Sequence, residues 1–198
     1  MLEATFLMSD QNTIQIGIGG SIRPSETFGA DYLSEIRRII AYAPAKARTV
    51  LEWGMGNSTQ FLIEQRETLG LAALFSIDNV PDYFAALRQT LPQWDGFHPY
   101  CIDLVGAKAS DRDPELNFAT FPLSIDARFD IIFIDGRRRM ECALTAAQLC
   151  RADTIVVLHD YRRARYQGVH FLFDIVDDGT QFRVMKLKPS LLACRIVD

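Results

Sequence analysis

Cysteine is scarce in this sequence and follows no recognisable pattern. Cys101, Cys142, Cys150 and Cys194 show no C-x-x-C spacing and no histidine at zinc-finger distance. That argues against a disulfide framework or a zinc ribbon, and free thiols in a reducing cytoplasm are expected. Long apolar runs are also missing: nothing approaches the ~20 residues a membrane span needs. The N-terminus carries Glu3 and no basic flank, so no signal peptide is expected. Basic charge is not in excess, since 21 Lys and Arg stand against 25 Asp and Glu for a net charge of −4, which argues against a general nucleic-acid binder. No internal repeat or low-complexity segment occurs. What is present is a 198-residue chain, 48% hydrophobic and 23% charged, which suits a soluble globular domain with a substantial core.

The most informative stretch is Thr49-Val50-Leu51-Glu52-Trp53-Gly54-Met55-Gly56-Asn57-Ser58-Thr59. A short β-favouring run ends at Glu52, two glycines follow with one residue between them, and a helical pattern begins near Asn57. A strand that stops at a glycine turn and feeds into a helix brings backbone close to whatever binds there. The free N–H groups of the first helical turn suit polar or anionic ligand groups. Further on, Ala73 to Asp78 is an apolar run ending in an acid, 24 residues after Gly54. That is near the spacing at which an acid takes ribose hydroxyls, and the same Asp78 could cap the helix that follows.

Phe129 to Asp135 and Thr154 to Asp160 are two more apolar strands, expected to be buried on both faces, and each ends in an acid. His98 to Val105 is a weaker strand candidate. Residues 106 to 128, with Asp111, Asp113, Pro114 and Pro122, read as a long polar connection. Helical stripes are expected over Leu33, Ile36, Ile39, Ile40 and Ala43 from a start near Ser25, over Phe61 to Leu69, over Tyr83 to Leu91, and through Met140 to Ala147. Val169 to Val176 and Phe182 to Leu187 read as two strands joined at Asp177-Asp178-Gly179. In an open α/β sheet, ligands bind outside the carboxyl ends of the strands where strand order reverses. Those ends carry Glu52, Asp78, Asp135 and His159-Asp160.

Glu52-Trp53-Gly54-Met55-Gly56-Asn57-Ser58 resembles motif I of class I S-adenosylmethionine-dependent methyltransferases, an acid followed by x-G-x-G-x-[GSA]. The dinucleotide fingerprint of nicotinamide oxidoreductases wants Gly or Ala where Thr59 stands, and Glu52 is unusual there. The resemblance covers roughly residues 48 to 190. It implies a Rossmann-like, doubly wound, mostly parallel seven-stranded sheet with an antiparallel C-terminal strand. It further implies S-adenosyl-L-methionine held by Glu52, Trp53, Gly54, Gly56, Asn57, Ser58, Asp78 and Asp135. Residues 1–29 are read as an arm or lid and 30–198 as a single domain.

Asp135, His159 and Asp160 are the candidate catalytic residues, for acid/base work on an acceptor hydroxyl. Catechol-type members hold magnesium with acids at these two strand ends and an Asn after the second. Tyr161 stands at that last position, so a metal on Asp135 and Asp160 is the lesser alternative beside a purely structural role. Arg137, Arg138 and Arg139 follow one strand; Arg162, Arg163 and Arg165 follow the next. They either neutralise Asp135, Asp160 and Glu141 or recognise an anionic substrate, for which Arg137, Arg138, Tyr161 and Arg162 are the candidates. The expected activity is methyl transfer to a small, anionic acceptor, at oxygen rather than nitrogen. The alternatives are a methyltransferase-like binding protein without turnover and, less favoured, a nicotinamide-dependent oxidoreductase. A small-molecule substrate is expected, with no nucleic acid or membrane partner, in the cytoplasm; a homo-oligomer is compatible with the sequence.

Overall fold

A computed structural model describes residues 30–44, 48–104 and 112–193. The proposed N-terminal arm or lid, with the helix start expected near Ser25, lies outside the described residues. The strands are β1 (Arg48–Trp53), β2 (Leu71–Asp78), β3 (Phe97–Cys101), β4 (Ile131–Ile134), β5 (Ile155–His159), β6 (Phe173–Asp178) and β7 (Phe182–Leu187). The helices are α1 (Ala30–Ile40), α2 (Asn57–Glu64), α3 (Pro81–Thr90), α4 (Arg112–Thr120), α5 (Arg139–Leu149) and α6 (Pro189–Ala193). The seven strands form one sheet in the order β3-β2-β1-β4-β5-β7-β6. The first five pair in parallel, and β7 runs antiparallel to both β5 and β6.

Successive strand residues point to opposite faces, and the core divides accordingly. Leu51, Trp53, Ile132, Ile134, Val156 and Leu158 pack with residues of α4 and α5 on one face. Val50, Ile131, Phe133, Ile155 and Val157 pack with α1 and α2 on the other. β4 and β5 are buried on both faces, as their unbroken apolar runs require. The stripe Ile36, Ile39, Ile40 and Ala43 is buried, and the α1 helix gives way to turns after Ile40.

Three expectations need correction. The connection over 106–128 contains α4 and a 3₁₀ turn (Phe121–Ser124). Pro114 falls in the first turn of α4, where a missing N–H costs nothing, and Phe118 buries its ring completely. α2 is shorter than three turns, and the chain then turns to Gly70, whose φ is +61°. The segment from Val169 begins as a 3₁₀ stretch (Ala164–Phe171), so the strand starts only at Phe173.

The order of strands reverses between β1 and β4. This puts the ends of those two strands, and the loops leaving them, around one crevice.

Candidate functional site

At the end of β1, Trp53 turns its indole into the core, wholly buried, with Nε1 donating to the Phe118 carbonyl (3.2 Å). Glu52 must therefore face the opposite side, toward α2. It is 1% exposed, and hydroxyls satisfy it. Ser58 donates to Oε1, while Thr59 (2.7 Å) and Ser76 (2.9 Å) donate to Oε2. Thr59 in turn accepts the Gly56 N–H at 2.9 Å, so the carboxylate reaches the glycine turn through one hydroxyl. Tyr32 is buried on α1, and burial pushes its phenol well above the usual range, with the Asp135 and Glu52 charges adding to the rise.

Burial pushes the Glu52 carboxyl up to about 7; the three hydroxyls act against this, and the Asp135 charge adds to it. A folded-state value above the usual 4.5 means the folded chain holds this proton more tightly than the unfolded one. Stability should therefore fall as pH rises from 4.5 through about 7, by on the order of 3 kcal/mol. Urea unfolding at pH 5 and pH 8 checks this: Glu52→Gln should remove that decline. An equal pH slope in both proteins would mean Glu52 titrates normally.

Gly54 has φ +93°, and a Cβ there would lie 2.9 Å from the Gly136 nitrogen and 3.0 Å from the Asp135 carbonyl carbon. Gly136, at the exit of β4, has the reciprocal contact, its Cβ position lying 3.2 Å from the Gly54 nitrogen. The β1 and β4 turns thus meet glycine to glycine. Gly56 is extended, and a Cβ there would meet only the Tyr83 hydroxyl, at 3.6 Å. Asn57 opens α2 and is exposed. Asp78, 6% exposed, accepts the Met55 N–H (3.0 Å) on Oδ2 and the N–H groups of Asn79 (2.7 Å) and Val80 (2.9 Å) on Oδ1. It both caps the turn into α3 and fastens the glycine turn to β2. Burial raises its carboxyl above the usual range despite these donors.

The ends of β4 and β5 form the second half of the site. Arg139, 9% exposed in the first turn of α5, directs its guanidinium at five acceptors. Nε donates to the Gly136 carbonyl (3.2 Å), Nη1 to the His159 carbonyl (2.7 Å) and Asp160 Oδ2 (3.1 Å), and Nη2 to the Asp135 carbonyl (3.1 Å) and Oδ1 (2.7 Å). Tyr166 lies under the guanidinium at 5.3 Å. Asp160 has φ +57°, a left-handed conformation that aspartate tolerates better than most residues. Its Oδ2 also pairs with Arg163 (2.7 Å). His159 sits between Asp135 Oδ1 (Nδ1, 2.7 Å) and Gln181 Oε1 (Nε2, 3.1 Å).

A family profile described as a methyltransferase domain matches residues 51–161, which is more than half of the chain. The chain belongs to that family. Its sheet is the class I, S-adenosylmethionine-dependent form, with the antiparallel last strand. Several solved structures share the fold. One is a methyltransferase-like protein from Silicibacter pomeroyi (19% identity, 86% of this chain and 94% of that one, TM-score 0.63). Another is human methyltransferase-like protein 13 in complex with S-adenosylhomocysteine (9%, 85% and 93%, 0.55). A third is the N-methyltransferase NodS from Bradyrhizobium japonicum (14%, 82% and 98%, 0.53). No curated protein matches the sequence.

In this methyltransferase the arginine-rich edge is largely paired. Arg137 (3.5 Å) and Arg138 both bridge to the buried Glu115 of α4, and Arg138 also reaches Glu141 (3.3 Å). Glu115 is not legible as a partner in the sequence, because residues 106 to 128 read there as a polar connection. Tyr161 is 5% exposed, donates to the Gly179 carbonyl (3.1 Å) and lies under the Arg183 guanidinium at 4.3 Å. Exposed Arg162 folds back onto Tyr161, its Nε donating to the phenol oxygen (3.2 Å). The magnesium alternative does not fit: the Arg139 guanidinium already joins Asp135 to Asp160, and Tyr161 points into the core. Among the described residues no group of three or more His, Cys, Asp or Glu is arranged to hold a metal. None of the described helices is long and apolar enough to cross a membrane.

Sequence reasoning missed Tyr32, Ser76 and Gln181. Ser76 alone carried a signal, being the polar residue in an apolar strand, directly across from Glu52.

Proposed function

We propose that this methyltransferase transfers a methyl group from S-adenosylmethionine to an oxygen of a small anionic acceptor at the β4–β5 edge. The observation that carries the reading is the meeting of the Gly54 turn, Asp78 and Asp135 around the crevice where strand order reverses. Asp78 is the candidate for the ribose, and the main chain of Trp53 to Gly56, with Asn57, Ser58 and Asp135, for the methionine end. Glu52 acts from behind the turn, through Ser58 and Thr59. When bound, the cofactor supplies a methyl on a sulfonium, a good leaving group, so the protein has chiefly to align and orient.

The acceptor edge supports an anion that arrives already ionised. Asp135 Oδ1 and Asp160 Oδ2 are held by arginines, and both ring nitrogens of His159 are occupied. A carboxylate-type oxygen needs no proton removed. In this reaction Asp135, His159 and Asp160 hold charge and position, and Arg162, exposed over the Tyr161 ring, is the contact proposed for the acceptor.

Calorimetry with S-adenosylmethionine, S-adenosylhomocysteine and NAD(H) tests the cofactor. Binding of NAD(H) alone would replace this reading with the oxidoreductase. Asp78→Ala should weaken S-adenosylhomocysteine by about 1–3 kcal/mol, the range for stranding buried polar partners. Gly56→Ala should fold with an unchanged melting temperature, since its Cβ has room, and still lose affinity if the ligand lies against that backbone. Normal affinity in folded Gly56→Ala would take the ligand away from this turn.

A further inference from the structure

Both ring nitrogens of His159 face acceptor oxygens, which is the hydrogen-bonding pattern of an imidazolium. Nδ1 lies 2.7 Å from Asp135 Oδ1, and Nε2 lies 3.1 Å from Gln181 Oε1. A neutral imidazole carries one N–H and one bare nitrogen, so it satisfies only one of these two oxygens. The main chain of Gln181 is fixed beside the ring: its backbone carbonyl accepts the Asp160 N–H (3.0 Å), and its backbone N–H donates to Glu35 Oε2 on α1 (3.4 Å). Phe182 lies tilted against the imidazole at 4.9 Å and Tyr32 edge-on at 6.2 Å, so the ring has no room to swing away freely.

We propose that His159 is a fixed cation that recognises the anionic acceptor, and that Gln181 is the positioning residue that keeps it one. This rests on the acceptor site assigned above and gives His159 a role opposite to that of a general base.

The charged and titratable groups around the ring come from every neighbouring element. They are Asp135 beyond β4, Asp160 beyond β5 with its Oδ2 3.9 Å from Nδ1, and Arg139 on α5 at the His159 carbonyl. Arg163 binds Asp160, and Tyr32 and Glu35 approach from α1. Asp135, Asp160 and Glu35 thus face Arg139, Arg163 and the imidazolium, three charges of each sign, so that without the proton on His159 this edge would be net negative and would repel an anion. Burial alone would lower the imidazole's affinity for its proton, but the Asp135 hydrogen bond and charge and the Gln181 bond reverse this, and the net direction is upward. The two roles predict opposite pH behaviour. A cationic anchor works below the His159 pKa and fails as pH rises through it; a base gains in that direction.

The test uses the full-length, ¹⁵N-labelled chain and long-range ¹H–¹⁵N correlation of its three histidines, with His159 assigned from the spectrum of His159→Gln. Near pH 7 both His159 nitrogens should carry protons. Gln181→Glu should raise the His159 pKa and Gln181→Met should lower it. Sodium acetate should shift the His159 resonances where acetamide at equal ionic strength does not, and the shift should vanish above the His159 pKa. A bare Nε2 near pH 7, a pKa indifferent to both Gln181 substitutions, or equal responses to acetate and acetamide would each overturn the proposal. Calorimetry separates this from the cofactor reading: His159→Gln should keep wild-type affinity for S-adenosylhomocysteine while losing the acetate response. Wild-type protein that binds no S-adenosylhomocysteine would refute the cofactor assignment instead.

Discussion

Gly54→Ala should destabilise the protein by about 3 kcal/mol or more, through two separate causes. The left-handed φ of +93° is open to glycine and costs an L-residue roughly 1–2 kcal/mol. The added methyl would also lie 2.9 Å from one backbone nitrogen and 3.0 Å from a carbonyl carbon, both at the exit of β4. Those are main-chain atoms of the turn that leaves β4, tied to β1 by a backbone hydrogen bond, so they cannot rotate aside as a side chain would. The β1 and β4 turns would have to separate, stretching the Asp135 N–H bond to the Trp53 carbonyl, now 3.0 Å. For a chain of this size the melting temperature should fall by roughly 6–12 °C. Gly56→Ala is the internal control. A melting temperature within a degree or two of wild type for Gly54→Ala would show that the two turns can part cheaply.

The contrast between these glycines shows how far the sequence could be read. The G-x-G spacing located the turn, but it could not say which glycine the fold itself demands. That depends on Gly136, 82 positions from Gly54, which is next to it only because β1 and β4 pair. Local signals carried the strands well: Phe182 to Leu187 is β7 residue for residue, and the apolar runs ending in Asp78, Asp135 and Asp160 are β2, β4 and β5. The reading failed where a local cue competed with tertiary burial. Pro114 and the surrounding acids suggested a loop, yet burial of Phe118 and Ala119 makes α4 a helix.

The site was legible as a set of strand ends and not as a network. Glu52 and Asp78 could be named from their positions, whereas the hydroxyls of Ser58, Thr59 and Ser76 that enclose Glu52 come together from three elements. Six arginines clustered after two strands look like an anion site, and only the fold distinguishes Arg137 and Arg138, turned to Glu115, from Arg139, turned inward. Gln181 had no local signal at all, since its contact with His159 is made across the β5–β7 pairing.

Arg139→Met should produce the other large effect, because this side chain neutralises two acids and caps three carbonyls at once. Methionine fills much of the same volume, so packing under Tyr166 is largely kept and the loss is electrostatic. Removing one partner of a buried ion pair costs about 3–5 kcal/mol. Here Asp135 keeps His159 and Asp160 keeps Arg163, which places the expected loss near the lower end, about 3 kcal/mol. Arg139→Lys separates charge from geometry. An ammonium restores one positive charge but has only three donors, against the five N–H groups the guanidinium uses. Its stability should fall between wild type and Arg139→Met. Urea unfolding of the three proteins at pH 7 measures both effects. A deficit below about 1 kcal/mol in Arg139→Met would mean that Arg139 acts as an ordinary surface ion pair and that the β4–β5 edge is held by its backbone alone.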